Sequence, residues 1–331
     1  MTYFIFALIA LLAWSGSDFF SKKGTDEKDQ NSHWKVVFAV GLIMGIHFII
    51  TLVGGAIIDA NGGPDPVPKF VASLLYTDFK VVDFFKYLPV SALYIFAMVL
   101  GYIGLRYIEL SISSPICNCS GSLALLLCVI IFPIIGADAI ELDVFSIIGV
   151  IAITLGIVGL GVVDNRENQE LKELRRKESN RKYSKSILAF LLPIAYLIID
   201  ALGTVGDEVF FHYVEISEYS ANSCFELTFA LLAIFAFAWV IFVKKDKLFY
   251  KGKNSGNAIY LGGVCETIGQ VFYMAVMFAD FEVGMPIISA YCVVSVLWSR
   301  IFLKEKLSWK HYATIALTFV GIILLGIFSP V

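Results

Sequence analysis

Charge is what this chain has least of. Only 16% of its 331 residues are Asp, Glu, Lys or Arg, against about 25% in a typical soluble protein. That shortage excludes an ordinary soluble domain. Enzyme signatures are missing too: there is no HExxH, no GxSxG and no phosphate-binding glycine loop. The four histidines, His33, His47, His212 and His311, are scattered along the chain. The six cysteines all fall inside apolar stretches, and even the adjacent Cys117 and Cys119 would point to different faces of a helix. Structural packing is therefore expected of them, with no disulfide framework and no metal site. The expectation is a protein that is not an enzyme and needs no cofactor. Its charged stretches lack interleaved aromatics, so no nucleic-acid partner is expected either.

In place of charge there are long apolar runs. They predict an all-α integral membrane protein with helical spans near 2–20, 35–58, 86–107, 110–135, 143–163, 187–208, 219–243, 257–280, 283–303 and 307–328. The start, MTYFIFALIALLAW, lacks a basic leading region and a small-residue cleavage site, so it reads as the first span rather than a signal peptide.

Positive charge is absent from one side of that arrangement. Of the 25 Lys and Arg residues, only Lys69, Lys80 and Lys86 fall on the side of the even-numbered loops; the other 22 share the odd-loop side. Basic loops stay in the cytoplasm. Both termini are therefore expected outside a cell membrane that the chain crosses many times.

The chain also repeats itself. Ala13-Trp14, Asp18 and Gly24 reappear at one constant offset as Ala195-Tyr196, Asp200 and Gly206. Tyr102, Glu109 and Pro115 reappear at a second constant offset as Tyr273, Asp280 and Pro286. Each half carries five expected spans, and an odd number turns the second half upside down relative to the first. The expected architecture is ten transmembrane helices as two inverted five-helix repeats, 1–163 and 187–331, joined by a basic cytoplasmic linker at 164–186. Inverted repeats around a midplane site are the build of many secondary transporters.

Ionisable groups inside spans are costly and usually face a cavity or a partner. Glu266 stands near the middle of its span, with Gln270 and Tyr273 following on nearly the same helix stripe. Glu226 and Asn222 are likewise four apart, and His47 lies near the middle of the second span. These residues are the candidates for substrate binding or proton coupling, His47 because it changes charge near neutrality. Trp14 and Tyr196 join them as aromatic walls able to hold an organic cation. The repeat-matched Asp18 and Asp200 are expected near opposite membrane faces, as gates. Glu109 and Asp280 are expected to cap helices. Gly41 and Gly45 have the small-xxx-small spacing of close helix contact.

Outside the spans, the stretch from Asp59 to Asp83 opens with NGGPDPVP and continues into a segment able to form a short interfacial helix. It reads either as a connecting loop or as an external lid. The linker's basic excess suits contact with anionic lipids of the inner leaflet.

Three segments resemble the EamA-like family of the drug/metabolite transporter superfamily. The end of the chain carries Pro286, Leu303, Glu305, Leu307-Ser308 and Gly321 in the family's order; the opening carries Trp14-Ser15-Gly16; and GYIGLRYIELSISSPI resembles the third-to-fourth span junction. The first half departs from the pattern, with Ile140-Glu141-Leu142-Asp143 where the junction Glu would stand. Many of the family's proteins are also described with both termini in the cytoplasm, opposite to the charge count here. The resemblance implies ten helices around a central cavity and alternating access driven by protons or exchange. It leaves the substrate open. Embedded acids without embedded bases favour a small cationic or zwitterionic metabolite, with sugar or neutral-metabolite uptake as the alternative. A non-transporting scaffold or a membrane enzyme is the rival from another class.

Overall fold

A computed structural model describes residues 2–26, 29–135, 144–166, 187–214, 216–249, 255–279, 288, 291–305 and 307–328. The expected junction sequence 140–143, residues 167–186 of the linker, and Asp280 and Pro286 lie outside them. The described residues are helical and contain no strand. In chain order the helices are α1 (Thr2–Gly24), α2 (Ser32–Ala60), α3 (Lys69–Leu75), α4 (Val81–Gly104), α5 (Leu110–Cys117), α6 (Ser120–Ile135) and α7 (Val144–Arg166). The second half adds α8 (Ile187–Tyr213), α9 (Glu218–Ala238), α10 (Ala258–Ala279), α11 (Tyr291–Trp298) and α12 (Trp309–Phe328). Wide turns at Trp239–Val243 and Ser299–Leu303 extend α9 and α11.

Among the described residues, six helical stretches are long and apolar enough to cross a membrane. They are Phe4–Gly24, Ser32–Ala60, Val81–Gly104, Phe190–Phe210, Glu218–Val243 and Ala258–Phe278. Four shorter apolar stretches accompany them, at Leu126–Ile135, Ile147–Gly159, Tyr291–Leu303 and Trp309–Leu324. Many large apolar side chains point outward, among them Ile49, Phe85, Ile134, Phe242 and Ile301. Such an exterior is what lipid, not water, tolerates.

The helices pair across the two halves. α1 packs on α10, α4 on α8, α2 on α9, α5 on α11 and α7 on α12. Gly41 shows how closely they approach: a Cβ there would sit 2.5 Å from the Phe229 carbonyl oxygen and 2.6 Å from the Ala233 Cβ. The spacing of Gly41 and Gly45 thus serves backbone-to-backbone packing of α2 against α9, where small residues let dispersion contacts form.

The inner junctions are tied by buried charges. Glu305 accepts from the backbone N–H groups of Leu110 (3.2 Å) and Ser111 (3.1 Å) and from the Ser111 hydroxyl (2.8 Å). A carboxylate at a helix N-terminus satisfies orphan donors and suits the helix dipole. Glu109 was the expected cap here. It holds the N-cap position of α5, but its side chain makes no capping bond, because the carboxylate from the other half already occupies the helix end. Lys22, expected in a loop, instead closes α1 as a buried residue. It donates to the carbonyls of Leu105 and Ile108, the latter at 2.5 Å. Lys35 pairs with Asp29 (2.7 Å) and Asp246 (2.8 Å). Against the opposing effect of burial, hydrogen bonds from Lys35, the Lys247 backbone and Asn31 hold the Asp246 carboxyl below its ordinary range.

Candidate binding cavity

A cavity of about 130 Å³ lies between the two halves. Its walls come from α1, α4, α5, α6, α8, α9, α10 and α11. Each helix reaches it through a stripe at helical spacing. α1 presents Trp14, Ser17, Asp18 and Ser21; α10 presents Glu266, Gln270 and Tyr273; α8 presents Tyr196, Asp200 and Thr204. Where α5 gives way to α6, the chain supplies Ser113, Ser114, Cys117, Asn118, Ser120 and Gly121. Small polar residues here leave space and offer hydroxyls. Gly269 does the same for Trp14: a Cβ at that position would collide with the indole ring, so the glycine lets Trp14 lie flat against α10.

Three carboxylates share this space. Asp18 accepts from Ser114 (2.8 Å) and Ser295 (3.0 Å). Asp200 has Ser120 and Tyr196 as partners, and Glu266 has Ser17 beside it. All of these partners are neutral, and among the described residues the lining contains no Lys, Arg or His. Asp18 and Asp200 also act electrostatically on Glu266, so the three sit within reach of one another.

Around them stand aromatic rings. Trp14 packs on Tyr273 at 5.0 Å between centroids and on Tyr291 at 5.8 Å. Tyr94, Tyr102, Tyr196 and Phe225 complete the set. The Tyr102 hydroxyl is buried without a hydrogen-bond partner among the described residues, while the Trp14 indole N–H lies toward the Glu266 carboxylate. An unpaired buried donor is costly, and Tyr102 lines the cavity.

The structure therefore gathers Glu266, Gln270, Tyr273, Trp14, Tyr196, Asp18 and Asp200 in one place. The two aspartates had been expected near opposite faces. Asp200 is instead close to the middle of its helix, because α8 runs on to Tyr213. Glu226, His47 and Asn222 do not reach the cavity. They form a separate cluster toward α3: His47 Nδ1 lies 2.7 Å from Glu226 Oε1, and Asn222 donates to the same oxygen at 3.1 Å.

Several residues were missed from the sequence. Asp207 is fully buried and accepts from Tyr87 and from Tyr94, the latter at 2.7 Å; Tyr94 in turn lies 3.3 Å from the Tyr273 hydroxyl. Its signal was present, since Asp200, Thr204 and Asp207 follow one helical stripe. Ser114 and Ser295, which hold Asp18, carried no local signal.

Comparison with known proteins follows this geometry. No curated protein matches the chain. One solved structure, titled only "Crystal structure of protein", superimposes over 99% of this chain and 99% of its own, with a TM-score of 0.58 and 13% identity. At that identity it speaks for the fold alone. The model of the EamA-like transporter family matches residues 186–327. The family expected from Pro286, Glu305 and Gly321 is thus found in the half that carries them: the protein is a multi-pass membrane protein whose residues 186–327 belong to the EamA-like transporter family of the drug/metabolite transporter superfamily.

Proposed function

We propose that this protein is a secondary active transporter of a small polar metabolite, cationic or zwitterionic, working by alternating access with proton coupling or exchange. The observation that carries the reading is the trio Asp18, Asp200 and Glu266 in a cavity whose described lining has no cation. Three carboxylates without a resident cation need balancing by protons or by a cation from outside. Proton and substrate then compete for one site, which is the elementary requirement for exchange. Magnitudes favour charge over ring stacking. An ion pair at about 4 Å gains about 4 kcal/mol at an effective dielectric of about 20, whereas a cation–π contact gives about 0.5–2 kcal/mol. An anionic phosphate ester would want Arg or Lys in the wall.

The fold that serves this is ten spans in two inverted repeats, 1–163 and 187–331, with 164–186 as the linker. Three observations support it. The four shorter apolar stretches supplement the six longer ones. The cross-half pairs α1–α10 and α4–α8 exchange the first and third spans of each half, as a two-fold axis in the membrane plane requires. The repeat-matched pairs Trp14/Tyr196, Asp18/Asp200 and Tyr102/Tyr273 all line the same cavity. The Lys and Arg distribution supports termini outside the cell membrane and a linker against its inner leaflet.

A second reading, uptake of a sugar or other neutral metabolite, is favoured by the aromatic walls alone. Thermal-shift measurements on the purified protein separate the two. Choline, ethanolamine and lysine are compared with glucose and glucose 6-phosphate. The cationic or zwitterionic compounds are expected to stabilise the protein, and stabilisation by glucose alone supports the second reading.

A further inference from the structure

The cluster of His47, Glu226 and Asn222 lies outside the cavity, and its geometry has a consequence of its own. His47 uses both ring nitrogens. Nδ1 is 2.7 Å from Glu226 Oε1 on α9, and Nε2 is 3.1 Å from the Leu74 carbonyl oxygen in the last turn of α3. A carbonyl oxygen only accepts, so Nε2 carries a hydrogen. That leaves the contact to Glu226. Either Nδ1 is also protonated and donates to a carboxylate, or the imidazole is neutral and a protonated Glu226 donates to Nδ1. Both forms hold one proton between Nδ1 and Oε1. Removing it sets two lone pairs against each other at the Glu226 contact. Shifting the remaining ring proton to Nδ1 moves the same conflict to Leu74. No form lacking the shared proton keeps both bonds.

We propose that this shared proton latches α3: bound, it fastens α3 through His47 to α2 and α9; released, it lets α3 detach. The surroundings suit a latch. Glu226 is fully buried, with His47 14% exposed. Among the described residues, the other groups bonded to the pair are Asn222 and the Leu74 carbonyl. The other titratable groups around the segment are Glu218 and Tyr219 of α9, Lys69 and Tyr76 of the α3 segment, Asp59 of α2 beside Tyr76, Asp78 beside Ser217, and Asp83 of α4 beside Ser220. Lys69 bonds both Glu218 and Tyr219, the latter at 3.0 Å, so this pair is already matched. Burial would lower the Lys69 ammonium, but Glu218 and Tyr219 outweigh it and raise it above its usual range. α10 faces the same spot with Val271, Met274 and Ala275, none of which titrates. A crevice of about 10 Å³, room for about one water, reaches Asn222, one hydrogen bond from Glu226, and gives the proton a polar approach. α3 also packs through Phe70 on Phe6 of α1 (6.3 Å between centroids) and Phe272 of α10 (5.3 Å). It therefore bridges four helices, two of which carry Asp18 and Glu266.

The latch stands by itself; its consequence, proton control of access to the cavity, rests on the transport reading. The test is hydrogen exchange of segment 69–79 in the full protein in nanodiscs. It is corrected for intrinsic rates and run between about pH 5 and about pH 9, bracketing the change of charge of histidine. In the wild type, protection of this segment relative to α2 is expected to fall at least about tenfold toward the alkaline end, a change of about 1.4 kcal/mol. Glu226→Gln donates an amide N–H to Nδ1 of a neutral His47, so it should keep the protection and lose the pH dependence. His47→Ala should leave the segment unprotected throughout. A flat wild-type profile, or a Glu226→Gln profile that falls like the wild type, overturns the proposal. No transported compound is used, so failure here and failure of the cavity reading are separate results.

Discussion

The central cavity and the cluster beneath α3 both bury carboxylates, but they treat them differently. Under α3, Glu218 meets Lys69 and Glu226 meets His47. In the cavity, Asp18 and Asp200 have hydroxyl partners only, and Glu266 lies beside Ser17 and Trp14. Buried charges are normally paired. A matched set therefore reads as a fastening, and an unmatched set reads as a place where the partner comes and goes. An orphaned donor sharpens this: the buried Tyr102 hydroxyl of the cavity wall has no hydrogen-bond partner among the described residues, which suits a zwitterion better than a simple cation.

Substitutions can break that contrast. The largest expected effect is on binding: Glu266→Gln should weaken an organic cation about 100-fold, or about 2.7 kcal/mol, with little change in melting temperature. Isothermal titration beside a melting curve shows both. A stability loss without an affinity loss would move Glu266 to the fastening class. Glu305→Ala should act the opposite way. It strips the cap from α5 and leaves buried N–H groups unpaired, costing about 1–3 kcal/mol of stability, read as a lower melting temperature. Tyr102→Phe removes a hydroxyl that has no hydrogen-bond partner among the described residues. Stability should hold while affinity for a zwitterion falls about threefold to tenfold, a loss of about 0.5–1.5 kcal/mol; an unchanged affinity places the hydroxyl outside the ligand's reach. Lys69→Met should cost least, about 0.5–1 kcal/mol, because Lys69 is partly exposed and its ion pair is screened. Its effect should appear in exchange of segment 69–79 and leave ligand affinity alone.

The same contrast shows what the sequence made legible. Helix positions followed from apolar runs, because lipid leaves few alternatives to helix. The stripe Glu266, Gln270 and Tyr273 followed from the 3.6-residue period. What stayed hidden was contact between helices. His47, Glu226 and Asn222 were grouped with Glu266 because each is a polar residue at depth, and depth along a helix does not tell which neighbour it faces. Asp18 and Asp200 were spread toward opposite faces for the same reason, while the structure brings both to one cavity. Ser114 and Ser295 look ordinary until Asp18 is placed between them. Glu305 stood out only as part of a family pattern; its capping of α5, a helix of the other half, gives that pattern a physical cause.

The most direct measurement is uptake into proteoliposomes of whichever compound stabilises the purified protein most, at acidic and alkaline external pH, in wild type and Glu266→Gln. The cavity reading predicts pH-dependent uptake by the wild type, with both the uptake and its pH dependence lost in Glu266→Gln. Uptake and pH dependence unchanged by the substitution would contradict it.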